Sequence, residues 1–135
     1  MINTLDHLII AVKDLNEAEQ NYKKLFGLNP VWRGEHKDLG TANVIFNFKN
    51  TYLELLCANG EGLGAMLVNS AIEESGDGLI GVVFGVENIK EAHKRLTNNG
   101  VEMTSIKKGV KENTLVSTIK SHTHNVPTLL IEHIN

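Results

Sequence analysis

The sequence predicts an α+β fold of two tandem βαβββ modules. Their strands would form a curved mixed sheet, a half-barrel around a groove, with the helices on the outer face. Three observations carry this prediction. V-K-D-L-N-E-A at Val12 to Ala18 returns 74 residues later as V-E-N-I-K-E-A at Val86 to Ala92, and an internal repeat sets the architecture before any motif does. Each copy follows an apolar, branched run and opens a helix with a capping box, Asp14 with Glu17 and Asn88 with Glu91. Three further strand patterns follow each helix. One module alone would leave a raw sheet face, and two side by side bury their edges.

The elements follow in order. Leu5 to Val12 reads as a strand buried on both sides, with His7 on the face of Leu5, Ile9 and Ala11. The first helix carries the stripe Leu15, Ala18, Tyr22, Leu25 and Phe26; Gly27 ends it and Pro30 confirms the stop. Val31 to Gly34, Thr41 to Phe48 and Thr51 to Cys57 are the next strands. In the second of these, Ala42, Val44, Phe46 and Phe48 share one side, and Asn43, Ile45 and Asn47 share the other. Asn59 to Gly64 breaks the pattern with its glycines, Ala65 to Glu74 can be a helix, and Ser75 to Gly78 is a loop. Leu79 to Val86 is a strand. The next helix has the stripe Ile89, Ala92 and Leu96 and closes at Gly100. Val101 to Ile106, Asn113 to Lys120 and Val126 to Ile134 complete the strands. Lys107-Lys108-Gly109 and His122-Thr123-His124-Asn125 read as polar turns. The organisation is one domain over 1–135: module 1 over 1–58, a linker with a helix over 59–78, and module 2 over 79–135.

Composition narrows the class. A chain of 135 residues suits one domain with a core of its own. The formal charge of −3 offers no basic field for nucleic acid. The single cysteine, Cys57, excludes an intrachain disulfide and fits a reducing cytoplasm. The first residues lack a basic segment, a long apolar stretch and a small-residue cleavage site. No apolar run approaches a membrane span. The expectation is a cytoplasmic protein with no nucleic-acid or membrane partner.

Together, L-D-H-L-I-I-A-V-K-D-L-N-E-A, Y-L-E-L-L, G-V-V-F-G-V-E-N-I-K-E-A and L-L-I-E-H-I resemble the vicinal oxygen chelate superfamily. That group includes glyoxalase I, the bleomycin-resistance proteins and the extradiol dioxygenases. The stretch from His36 to Asn43, with Tyr52 to Leu55, resembles its glyoxalase-like subset. The resemblance implies four groove-facing metal ligands, from the first and last strands of each module. Carried over, three are His7, Glu54 and Glu132. The fourth position, one repeat after His7, is Gly81, which has no side chain to ligate. His122 and His124 are the nearest substitutes, although solvated histidines in a turn are the commoner reading of such a segment.

Two functional readings stay open. His7, Glu54 and Glu132 with an Fe, Mn, Ni, Co or Zn ion imply a metal-assisted lyase or isomerase acting on a small oxygenated compound. Glu54 and Glu132 would then be the catalytic carboxylates. Classical glyoxalase I activity is not expected. The alternative is a ligand-binding or sequestration protein of bleomycin-resistance type, with no metal; a homodimer is the expectation for either reading. Gly81 and Gly85 on one strand face read as space for a ligand or as a plain bend. Arg33, His36, Thr41 and Asn43 form a second constellation, able to hold an anionic end and orient a carbonyl, with hairpin chemistry as the competing explanation. Tyr52 lies on the face of Glu54 and joins the substrate-binding set. Trp32, Phe46, Phe48 and Phe84 read as core, and Cys57 as a buried, inert thiol.

Overall fold

The computed structural model describes all residues, 1–135. The chain is α+β, with the expected βαβββ modules joined through an extra helix. The first module comprises β1 (Thr4–Ala11), α1 (Leu15–Phe26), β2 (Trp32–His36), β3 (Thr41–Asn47) and β4 (Tyr52–Ala58). After α2 (Leu63–Ser75) come β5 (Gly78–Gly85), α3 (Ile89–Asn98), β6 (Lys107–Lys108), β7 (Thr114–Ile119) and β8 (Thr128–His133). The chain forms two compact units. One is Leu8–Ile80, and the other is Met1–His7 with Gly81–Asn135.

Within Leu8–Ile80 the strand order is β2-β3-β4-β1. The capping box forms as expected: the Asp14 carboxylate accepts from Glu17 N at 3.0 Å. Gly27 ends α1 with φ 65°, a left-handed turn that glycine adopts without strain. The helix buries Leu15 and Ala18 against Ala42, Val44 and Phe46 of β3 and Leu53, Leu55 and Cys57 of β4. Tyr22 and Phe26 pack on this core, with Phe26 edge-on to Phe46 at 5.7 Å. Strand alternation then assigns the other face. The antiparallel register places Asn43 opposite Leu56 and Ile45 opposite Glu54, so Thr41, Asn43, Ile45, Tyr52, Glu54 and Leu56 share the side turned away from α1.

In the other unit the order is β1-β5-β8-β7-β6. Asn88 caps α3 by accepting from Glu91 N at 3.1 Å. Ile89 and Ala92 of this helix cluster with Leu130 of β8, and Phe84, Leu115 and Ile119 pack against them. Phe84 pairs with Leu130 across the parallel β5–β8 ladder. Thr128, Leu130 and Glu132 therefore lie on the α3 side of β8, while Leu129, Ile131 and His133 lie on the other.

The repeat is visible in hydrogen bonding. Val12 N donates to Leu56 O, and Val86 N to Ile131 O, each at 2.9 Å. Val86 follows Val12 by 74 residues, whereas Ile131 follows Leu56 by 75. The closing strands are thus one residue out of the repeat's opening register.

Three local expectations change. Val101 to Ile106 is not a strand: Thr104 N donates to Thr118 O at 2.9 Å, but the Thr104 hydroxyl takes Thr118 N at 2.8 Å and interrupts the ladder. Only Met103 makes an isolated bridge, to Ile119. Lys107 and Lys108, expected in a turn, instead pair with β7. Trp32 is not core, being 50% exposed, and Phe48 is 36% exposed. His122 and His124 lie in a turn with φ 68° and 53°, so the His-x-His pair does not have strand geometry.

Phe46 is fully buried at the centre of the α1 core. Phe46→Ala is expected to lower unfolding stability by about 3–5 kcal/mol, read from urea melts with unchanged m-value.

Candidate functional site

On the sheet face turned away from α1, three side chains form a polar chain. Trp32 Nε1 donates to Asn43 Oδ1 at 3.0 Å. Asn43 Nδ2 donates to Glu54 Oε2 at 3.0 Å. Asn43 is only 4% exposed, and these two bonds use one acceptor and one donor of its amide. They also fix which end of the amide is which, because an indole N–H needs an acceptor and a carboxylate needs a donor. Glu54, which the sequence placed within an apolar strand, has its polar partner.

The rest of the loop–strand constellation divides. Thr41 is buried on this face, packed where α2 begins: a Cβ on Gly64 would lie 2.8 Å from its methyl group. His36 pairs with Thr41 across the hairpin, and its carbonyl accepts from Leu39 N at 3.1 Å. Tyr52 shares the face of Glu54. Arg33 does not join them. It pairs with Val44, a residue of the α1 core, and its guanidinium ion-pairs with Glu19 and donates to Asn16 Oδ1, both on α1. The expectation that Arg33 anchors a ligand beside Thr41 and Asn43 is corrected by strand parity.

In the other unit, His7 is buried and its Nδ1 lies 2.7 Å from Asp6 Oδ2. His133 Nε2 reaches Asp6 Oδ1 at 2.8 Å. One carboxylate is thus held by two imidazoles. Burial raises the Asp6 carboxyl's pKa, but the hydrogen bonds and charges of His7 and His133 outweigh it and hold the group below its usual 3.8. The sequence pointed to His7 but missed Asp6 and His133. The available signals were Asp6 directly before His7, and His133 on the opposite parity from Glu132.

Glu132 is elsewhere. Its Oε1 accepts from Ile89 N, the first N–H of α3, at 2.7 Å. Together with Asn88 it satisfies two of the helix's open donors and complements the positive end of its dipole. Its counterpart by closing-strand register is Cys57, a core residue under α1. Burial pushes that thiol's pKa up, in keeping with the inert cysteine expected. Gly85 is likewise not spare room: the Thr4 hydroxyl donates to its carbonyl at 3.2 Å and lies 2.5 Å from where a Cβ would stand.

The family resemblance implies a divalent-ion site at His7, Glu54, Glu132 and the position of Gly81. Glu132 points to α3, Gly81 offers no donor, and no three of the chain's His, Cys, Asp and Glu side chains are grouped to hold a metal ion. Glu132 thus leaves the expected set of His7, Glu54 and Glu132.

A duplicated βαβββ fold is the architecture of the glyoxalase-like class of proteins. The Glyoxalase-like domain model matches residues 5–120, and the chain belongs to that family, within the vicinal oxygen chelate superfamily. It is 29% identical over 103 residues to the ethylmalonyl-CoA/methylmalonyl-CoA epimerase of Cereibacter sphaeroides, covering 76% of this chain and 75% of that one. Among solved structures it resembles methylmalonyl-CoA epimerase from Mycobacterium tuberculosis, with TM-score 0.81, 21% identity and coverage of 99% and 90%. It also resembles hypothetical protein BH1468 from Bacillus halodurans, with TM-score 0.85, 20% identity and coverage of 98% and 95%. A Streptomyces coelicolor methylmalonyl-CoA epimerase variant in complex with 2-nitronate-propionyl-CoA gives TM-score 0.79, 18% identity and full coverage of both chains, 100%. These structural likenesses establish the fold. No helix is long and apolar enough to cross a membrane.

Two outcomes are expected from the site geometry. Glu132→Ala should lower stability by about 0.5–2 kcal/mol in urea melts, as loss of a helix-cap acceptor does; added Mn²⁺, Ni²⁺ or Zn²⁺ should leave the melting temperature of wild type and variant unmoved. Asp6 has a depressed pKa, so its stabilisation is present above the ordinary carboxyl value and is lost as pH falls through its folded-state value. In urea melts from about pH 6 to about pH 2, the stability advantage of wild type over Asp6→Asn should therefore shrink on the acid side.

Proposed function

We propose that this protein is an isomerase-type member of the glyoxalase-like family. It would move a proton at the carbon beside the carbonyl of a short acyl thioester. The observation that carries this reading is the Glu54 carboxylate, held by buried Asn43 on the face turned away from the α1 core. The sequence likeness to an epimerase of ethylmalonyl- and methylmalonyl-CoA supports the substrate class, and the methylmalonyl-CoA in a solved relative supports it further.

The chemistry follows from these side chains. Epimerisation removes a proton from a carbon whose anion is delocalised onto the thioester oxygen, and returns it to the opposite face. Glu54 is the base. Asn43 fixes one of its oxygens, which leaves the carboxylate in one orientation toward the ligand. Tyr52, on the same face, offers a hydroxyl to the developing enolate oxygen. The expected Glu132 role in catalysis is not part of this reading, because that carboxylate caps α3.

A second reading, binding without turnover, is favoured by Gly81 at the position one repeat after His7. The two readings separate in D₂O. With racemic methylmalonyl-CoA or ethylmalonyl-CoA, a proton NMR time course should show enzyme-dependent loss of the α-proton signal. Glu54→Gln should slow it by about 10²–10⁴-fold, the usual contribution of one general base. Tight binding of both thioesters with no exchange above the buffer rate would establish sequestration instead.

A further inference from the structure

Trp32 is the chain's only tryptophan, and half of it is exposed. An exposed indole can satisfy its N–H with water and leave its ring free to turn. Here the ring is fixed twice. Its N–H is bonded to Asn43, itself buried and bonded onward to Glu54. Its ring lies over Gly34: a Cβ there would stand 2.5 Å from Cζ2, 2.8 Å from Cε2 and 2.9 Å from Nε1. Any other residue at 34 would push the ring away. The register places Trp32, Ile45 and Glu54 in one row across β2, β3 and β4.

A buried amide and a side-chain-free strand position thus hold one aromatic face in place at the surface. The core does not require this, because Trp32 is absent from the α1 cluster. The arrangement suits a partner that stacks. Stacking asks only for a flat π-face in a set orientation. The carboxylate at the end of the same row works against an anionic ring. We infer that Trp32 is a stacking platform for a flat, non-anionic heteroaromatic ring of a bound ligand, of the purine-base class. The inference rests on the proposed acyl-CoA reading only for the source of that ring, the adenine of the thioester's carrier. The platform itself is read from Trp32, Gly34 and Asn43.

The lone tryptophan is also the reporter. Adenosine titrated into the full-length protein should quench its fluorescence saturably, whereas ribose should not, and benzoate should bind at least about tenfold more weakly. Gly34→Ala keeps the indole but displaces it, and should weaken adenosine binding by about fivefold or more. Trp32→Ala, a surface change expected to fold, should abolish the binding heat in calorimetry. Absence of saturable quenching, or unchanged adenosine affinity in Trp32→Ala, overturns the platform, even if α-proton exchange proceeds. Quenching by adenosine without exchange of either thioester would sink the isomerase reading and leave the platform standing.

Discussion

The chemistry of this molecule depends on one constraint: which face of each strand lies beneath its helix. Phe46 and Leu55 under α1, and Leu130 under α3, are fully buried. Removing side chains of this size from water stabilises the fold by roughly 1.5–3 kcal/mol each, before cavity effects are counted. A one-residue slip in any of these strands would turn those groups out and bring polar ones in. Every polar side chain on the sheets is therefore assigned to a face by its apolar neighbours. Asn43 and Glu54 fall opposite the α1 core, whereas Arg33 falls on the α1 side and Glu132 on the α3 side.

That assignment separates two carboxylates that look alike in sequence. Glu54 sits in Y-L-E-L-L and Glu132 in L-L-I-E-H-I, each an acid inside an apolar strand. Burying a carboxylate is costly unless it is paired or hydrogen-bonded, and each has a solution. Glu54 accepts a hydrogen bond from the Asn43 amide, on the face turned away from the α1 core. Glu132 receives the first N–H of a helix, a structural use that also compensates the helix dipole. Asp6 shows a third solution, one carboxylate between two imidazoles.

Much of the fold was legible because it rests on local rules. The two capping boxes, the Gly27 stop and the alternation along β3 and β4 all follow from residue spacing. The segment 101–106 was not legible, because its strand pattern is interrupted by the Thr104 hydroxyl, a contact that spacing does not encode. Trp32 was misread for a related reason. Its apolar ring suggests core, yet its N–H is matched to an acceptor eleven positions away and its ring to a glycine two positions away.

The amino-acid sequence by itself determined the duplicated βαβββ order, the helix ends and the parity that groups Glu132 with Leu130 and Glu54 with Tyr52. These are set by periodicity and capping, which act over a few residues. Only the tertiary structure decided which parity faces a helix. That choice depends on where α1 and α3 pack and on the one-residue shift between Leu56 and Ile131 as partners of the repeated corner. The shift places Glu132 in register with core residue Cys57. The same packing brings His133 to Asp6 from 127 residues away, a contact with no signature in local sequence.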